Sequence, residues 1–207
     1  VGIDIIAFVD VYPDLSIDAD EMESCYIQCF GKIFLQRDTK LFALLAGVGY
    51  EEEIKPVIIP RGIPITSSWQ VQSAYTVIAI DDRKWTLGHE ESSYPRYCKR
   101  SQAEEYIKKK ESKYLNKYLG EIIDPDAHTF SWLRVKELEE VQTQYEQLTE
   151  TRQQTAESLK AVIALMKALD GEQVGRSRLV FWFEGGKASE QAMIDKVVEV
   201  LRYLELD

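Results

Sequence analysis

Two runs, "GIDIIAFVDVY" (2–12) and "SRLVFWFEGG" (177–186), constrain this chain more than anything else in it. Each is an almost unbroken series of Ile, Val, Leu and aromatic residues, the pattern of a strand covered on both faces. They lie at opposite ends of a 207-residue sequence, and neither can be left in water. Both are therefore expected in one central sheet, which closes residues 1–207 into a single α+β domain. That sheet is expected to be mixed and flanked by helices. A hydrophobic fraction of 45% supplies enough material for a sizeable core. Asp4 stands out as a charge inside the first run.

Helical spacing follows between the strands. Asp38 can cap "TKLFALLAG", with Leu41, Phe42, Leu44 and Leu45 facing a core and Gly47 and Gly49 ending the helix. Ser101-x-x-Glu104 reads as a capping box for a helix that carries Ala103, Tyr106, Ile107, Tyr114, Leu115 and Tyr118 on to Leu119. Leu138, Val141, Tyr145, Leu148, Arg152, Thr155, Leu159, Val162, Met166 and Leu169 then form a heptad seam, with no Gly or Pro over 134–170. A single helix there would be about 55 Å long. A fresh capping box at Thr151-x-x-Gln154 offers a break, giving a helical hairpin instead. The segment 134–170 is thus expected as an appendage, either a long helix that pairs in a homodimer or a hairpin packed on the body. "SEQAMIDKVVEVLRYLEL" (189–206), with Ser189 as cap, reads as a closing amphipathic helix.

Elsewhere the pattern is shorter-ranged. "CYIQCFGKIFLQ" (25–36) suggests two short strands with a turn at Gly31, and "WQVQSAYTVIAIDD" (69–82) a strand. Pro56, Pro60 and Pro64 exclude helix or central strand and leave an ordered loop. Trp69, Trp132 and Trp182 follow apolar spacing and are expected in the core.

Net charge is −10 and the pI about 4.9, which disfavours a nucleic-acid binder. One basic cluster runs against this balance: Lys99, Arg100, Lys108, Lys109, Lys110, Lys113 and Lys117. It is either a solvated face or a local anion-binding surface. The longest apolar stretches fall short of the roughly 20 residues that span a bilayer. No basic leader precedes the first strand, so a soluble, cytoplasmic protein is expected. Cys25, Cys29 and Cys98 make no zinc pattern and are expected as reduced thiols.

Catalytic signatures are missing: there is no phosphate-binding glycine loop, no zinc-protease helix motif and no nucleophile elbow. Nothing calls for a cofactor, and no catalytic or metal residue is assigned. The densest polar stretch is "DPDAHTFSWLRVKEL" (124–138). Asp124, Asp126 and His128 could offer oxygen and imidazole ligands, with Asp4 completing a metal-dependent phosphodiesterase or nuclease site. Asp-Pro-Asp is also ordinary turn chemistry. Arg61, held between Pro60 and Pro64, presents a preorganised guanidinium that suits phosphate or carboxylate, or clamps a structural acid.

The motifs "GIDIIAFVD", "RDTKLFALLAGV", "PRGIP", "DAHTFSWL" and "RLVFWFEG", in this order, resemble a family of uncharacterised bacteriophage and prophage proteins. Members of that family carry a "GCDIH"-like first strand, a "PRG-x-P" loop, a "D-x-H-S-x-SWL" stretch and a "VFWFD" strand. The resemblance implies a phage-encoded protein acting in the bacterial host cytoplasm, and brings no activity with it. Where the family pattern has cysteine and histidine this chain has Ile3 and Ile6, and Phe130 replaces a second histidine. Asp4, Arg37, Arg61, His128 and Ser131 keep polar groups at matching positions and are the candidate ligand-binding residues. The expected function is a non-enzymatic accessory protein that binds a host protein or a small anionic, nucleotide-like ligand. A metal-dependent nuclease and a structural dimerisation protein are the alternatives.

Overall fold

A computed structural model describes residues 3–12, 27–49, 53–64, 66–90, 96–148 and 153–185. The acidic stretch 13–24, Cys25, Thr151, Arg152 and the expected helix over 189–206 lie outside the described residues.

The first strand, β1 (Asp4–Val11), is buried on both faces, as its composition requires. Its neighbour β2 (Gln28–Ile33) pairs with it antiparallel. Gly31 makes no turn here. Phe8 to Asp10 on β1 faces Lys32 to Cys29 on β2, so one extra residue is accommodated at Gly31, whose φ is +117°. A β-bulge replaces the expected turn. The loop then enters α1 (Thr39–Ala46), capped by Asp38, which accepts from the Lys40 and Leu41 amides at 3.0 and 3.2 Å. Gly47, left-handed at φ +66°, ends it.

Residues 69–82 differ from the expected single strand. They form α2 (Trp69–Tyr75), capped by Ser68, and then β3 (Thr76–Ile80). Val71, Ala74 and Tyr75 bury one helical face. Trp69 sits outside it, 71% exposed and not in the core. A short 3-10 turn (82–84) and α3 (Leu87–Glu90) lead to β4 (Arg96–Lys99) and α4 (Arg100–Lys108). The helix expected to reach Leu119 stops at Lys108, because Lys110 turns left-handed at φ +59°. The chain becomes a hairpin instead: β5 (Tyr114–Asn116) and β6 (Glu121–Ile123). Then come β7 (Ala127–Leu133), α5 (Val135–Leu148), α6 (Gln153–Asp170) and β8 (Ser177–Glu184).

The two apolar strands meet as expected. β1 and β8 pair antiparallel from Asp4↔Glu184 to Val11↔Ser177, in the centre of a sheet ordered β2-β1-β8-β7. A second sheet runs β4-β3-β6-β5 and is mixed, since β3 and β4 are parallel. Alternation along β1 and β8 makes two cores. Ile5, Ala7, Val9, Leu179, Phe181 and Phe183 face α1, α5 and α6, while Ile6, Phe8, Val180 and Trp182 face α2.

The heptad segment breaks into α5 and α6. Lys167 pairs with Glu139 at 2.5 Å and Lys160 with Glu146 at 3.3 Å, an antiparallel register. Leu138, Val141, Tyr145, Leu159, Val162 and Met166 all enter the main core. The seam expected to receive a second copy is therefore used within the chain; the hydrophobic contact it needed is made against α1 and the sheet. The Tyr145 hydroxyl donates to Asp38 at 2.6 Å, so the cap of α1 also anchors α5. Among the described residues no helix is long and apolar enough to cross a membrane.

Candidate functional site

The α2 side of the first sheet carries aromatic rings bordered by arginine–carboxylate pairs. Trp182 stacks on Phe8 (centroids 5.7 Å apart) and on Phe130 (5.7 Å), with Tyr75 edge-on at 5.8 Å. At one end Asp10, fully buried, accepts from the Ser68 amide (3.2 Å), the Ser68 hydroxyl (2.6 Å) and Arg178 (3.4 Å). Arg178 also donates to the Thr66 carbonyl and lies 5.0 Å from the Tyr12 ring centre. Sequence reasoning passed over Asp10, which the apolar run conceals. Its signal was a second acid at strand spacing opposite an arginine in the only other run of that kind.

The candidate ligand residues fall in three places. Arg37 forks onto Asp4 at the exposed end of β1 and holds that carboxyl below the usual range. Arg61 forks onto Glu137, donates to the Trp132 carbonyl at 3.3 Å and lies 4.2 Å over the Trp132 ring. The Arg61 amide donates to the buried Ser131 hydroxyl at 3.3 Å, and Gly62 donates to the Phe130 carbonyl, so the proline loop is sewn along β7. His128 Nε2 meets the Gly185 carbonyl at 2.8 Å and Nδ1 meets the Thr129 hydroxyl at 3.0 Å. Arg61 comes together with Ser131 and Arg37 with Asp4, while His128 keeps separate partners.

The acids of "DPDAHTFSWL" do not converge. Asp124 is buried and accepts the Asp126 amide at 2.9 Å, a turn, while its other oxygen pairs with Arg96. Burial pushes the Asp124 carboxyl up against the pull of Arg96. Across the sheet, Asp4 and Ala127 flank Glu184 from opposite sides, about 10 Å apart at two strand spacings. Among the described residues no group of three or more His, Cys, Asp or Glu side chains could hold a metal ion.

Arg96 joins the two sheets. From β4 it reaches Asp124, Glu184 at 2.8 Å and the Ala74 carbonyl at 3.1 Å. It also lines a cavity of about 400 Å³ with Trp85, His89, Tyr97, Cys98, Lys99, Gln102 and Tyr106. The cavity follows β4, whose one sheet neighbour among the described strands is β3. His89 is tilted against Trp85 (centroids 5.4 Å) and Tyr97 (5.3 Å), and the Lys99 ammonium lies 5.8 Å from the Trp85 ring centre. Three rings in series with a cation beside them offer stacking and charge together. Burial pushes the Cys98 thiol up to about 11, so it stays protonated and unreactive at neutral pH. Of these residues, Lys99 belonged to the basic cluster read from sequence. No family model, curated protein or solved structure matches the chain.

Proposed function

We propose that this chain is a non-enzymatic phage accessory protein that captures a small anionic ligand with a planar ring, nucleotide-like in chemistry, in the cavity along β4. The observation that carries the reading is the ring series Trp85–His89–Tyr97 with Lys99 against it, in a space of about 400 Å³. A volume of that size suits a nucleotide-sized molecule. Two of the acids read as hydrolytic candidates are tied elsewhere: Asp124 to Arg96 and Asp4 to Arg37. Arg61, which looked like the anion-binding arginine, is similarly occupied, so the phosphate or carboxylate is assigned to Lys99. Removal of a nucleotide-derived host defence signal in the bacterial cytoplasm is the concrete role this proposes, in keeping with the phage resemblance.

Calorimetric titration with nucleoside mono-, di- and triphosphates and cyclic nucleotides tests it. Loss of a stacking ring costs about 1–3 kcal/mol per base, so Trp85→Ala is expected to weaken binding roughly 5- to 150-fold, and Lys99→Glu at least about tenfold. Absence of binding across the panel, or wild-type affinity in both variants, would overturn the proposal.

A further inference from the structure

Hydrogen-bond polarity separates this cavity from a generic aromatic groove. Trp85, Arg96 and Lys99 carry donors only. Gln102 and His89, which can accept as well as donate, are already engaged as acceptors. Gln102 gives its amide oxygen to the Lys99 backbone N–H at 3.0 Å, at the start of α4, so what it can still offer is its NH2 group. His89 Nδ1 lies 3.1 Å from the Thr86 backbone N–H, with the Thr86 hydroxyl also at 3.1 Å. A backbone amide can only donate; Nδ1 must accept, and the ring proton is placed on Nε2. Among the described residues that line the cavity none bears a carboxylate, and Asp124 and Glu184 are bound by Arg96. The tyrosine hydroxyls of Tyr97 and Tyr106 adapt to either role.

We infer that His89 Nε2–H and the Gln102 NH2 group face the cavity as donors, so that it selects a phosphorylated or carboxylated ring whose edge presents acceptors over one that presents donors. This rests on the ligand reading above and sharpens it. A polar group that enters a site of the wrong polarity loses its water and gains no partner, which is how such sites discriminate. Gln102 is the cleaner probe, because glutamate there keeps the oxygen that accepts from Lys99 and so keeps the helix start.

The test compares phenyl phosphate with benzylamine, ring probes of opposite polarity, on wild type, Gln102→Glu and Gln102→Met. Wild type is expected to bind phenyl phosphate at least tenfold more tightly than benzylamine. Gln102→Glu is expected to lose at least tenfold toward phenyl phosphate with an unchanged thermal midpoint, and Gln102→Met, which adds no charge, severalfold. Nitrogen-15 NMR of the His89 ring reads the tautomer directly, with Nε2–H expected. Phenyl phosphate affinity unchanged in both Gln102 variants, or an Nδ1–H tautomer, would overturn this inference alone. A wild type that binds neither phenyl phosphate nor any nucleotide would overturn the ligand reading and this inference with it.

Discussion

Asp10 offers the sharpest energetic prediction. It is fully buried, and its donors are Ser68 N, Ser68 Oγ and an Arg178 side chain only 7% exposed. Asp10→Ala leaves the guanidinium buried against one carbonyl and two rings, an uncompensated charge that costs about 3–5 kcal/mol. Arg178→Met leaves the carboxylate with Ser68 alone and is expected to cost a similar amount. Removing both replaces a charge pair by apolar volume, so the double variant is expected to fall short of the summed costs by about 2–3 kcal/mol. Urea unfolding measures all three. With m of about 2 kcal/mol/M, each single variant moves the midpoint down by roughly 1.5–2.5 M. Additive costs, or a single-variant loss below about 1 kcal/mol, would refute the view that this pair holds loop 66–68 onto the sheet.

Further predictions concern backbone and pH. An Ala79 carbonyl oxygen would sit 2.9 Å from a Cβ at Gly120, whose φ is +72°, whereas Gly171, at φ +55°, has nothing within 4 Å. Gly120→Ala is therefore expected to cost clearly more than Gly171→Ala, which carries only the left-handed penalty of about 1–2 kcal/mol; equal thermal shifts would contradict the close approach. Burial raises Glu137, but the Arg61 fork and the Arg134 amide outweigh it and hold the carboxyl below its ordinary 4.5. A depressed carboxyl contributes stability that is present above 4.5 and lost as pH falls through the lower folded value. Thermal melts should show Glu137→Gln less stable than wild type at neutral pH, with the gap closing below pH 4.5; a gap that is constant with pH would contradict this.

How much of this was legible in sequence depends on how local the signal was. β1 and β8 could be read because burial on both faces leaves an unbroken apolar run, and Asp38 and Gly47 because caps act through neighbours in sequence. The hairpin of α5 and α6 was one of two open forms, decided by the core that receives Leu138 and Met166. Residues 69–75 read as strand from the β-branched finish of "YTVIAI", although Ser68 and the Val71, Ala74, Tyr75 spacing carried a short helix. The Lys-rich end of α4 stopped early because helical spacing through Tyr114 and Tyr118 coincided with an alternating hairpin. The cavity is the least legible part. Trp85, His89, Tyr97 and Gln102 come from a turn, a four-residue helix, an edge strand and a helix start, and only parallel pairing of β3 with β4 assembles them. A concentration of rings and bases in "RKWTLGHEE" and "RYCKRSQ" was the available signal.

The central claim is that a ring-bearing anion binds along β4 and not on the first sheet at Arg61, Ser131 or His128. Amide and indole chemical-shift mapping during titration with a nucleoside monophosphate tests it most directly. Saturable shifts centred on the Trp85 indole, His89, Lys99 and the Gln102 side chain are the expected result. Shifts centred on Arg61, His128 and Ser131, or none that saturate, would contradict it.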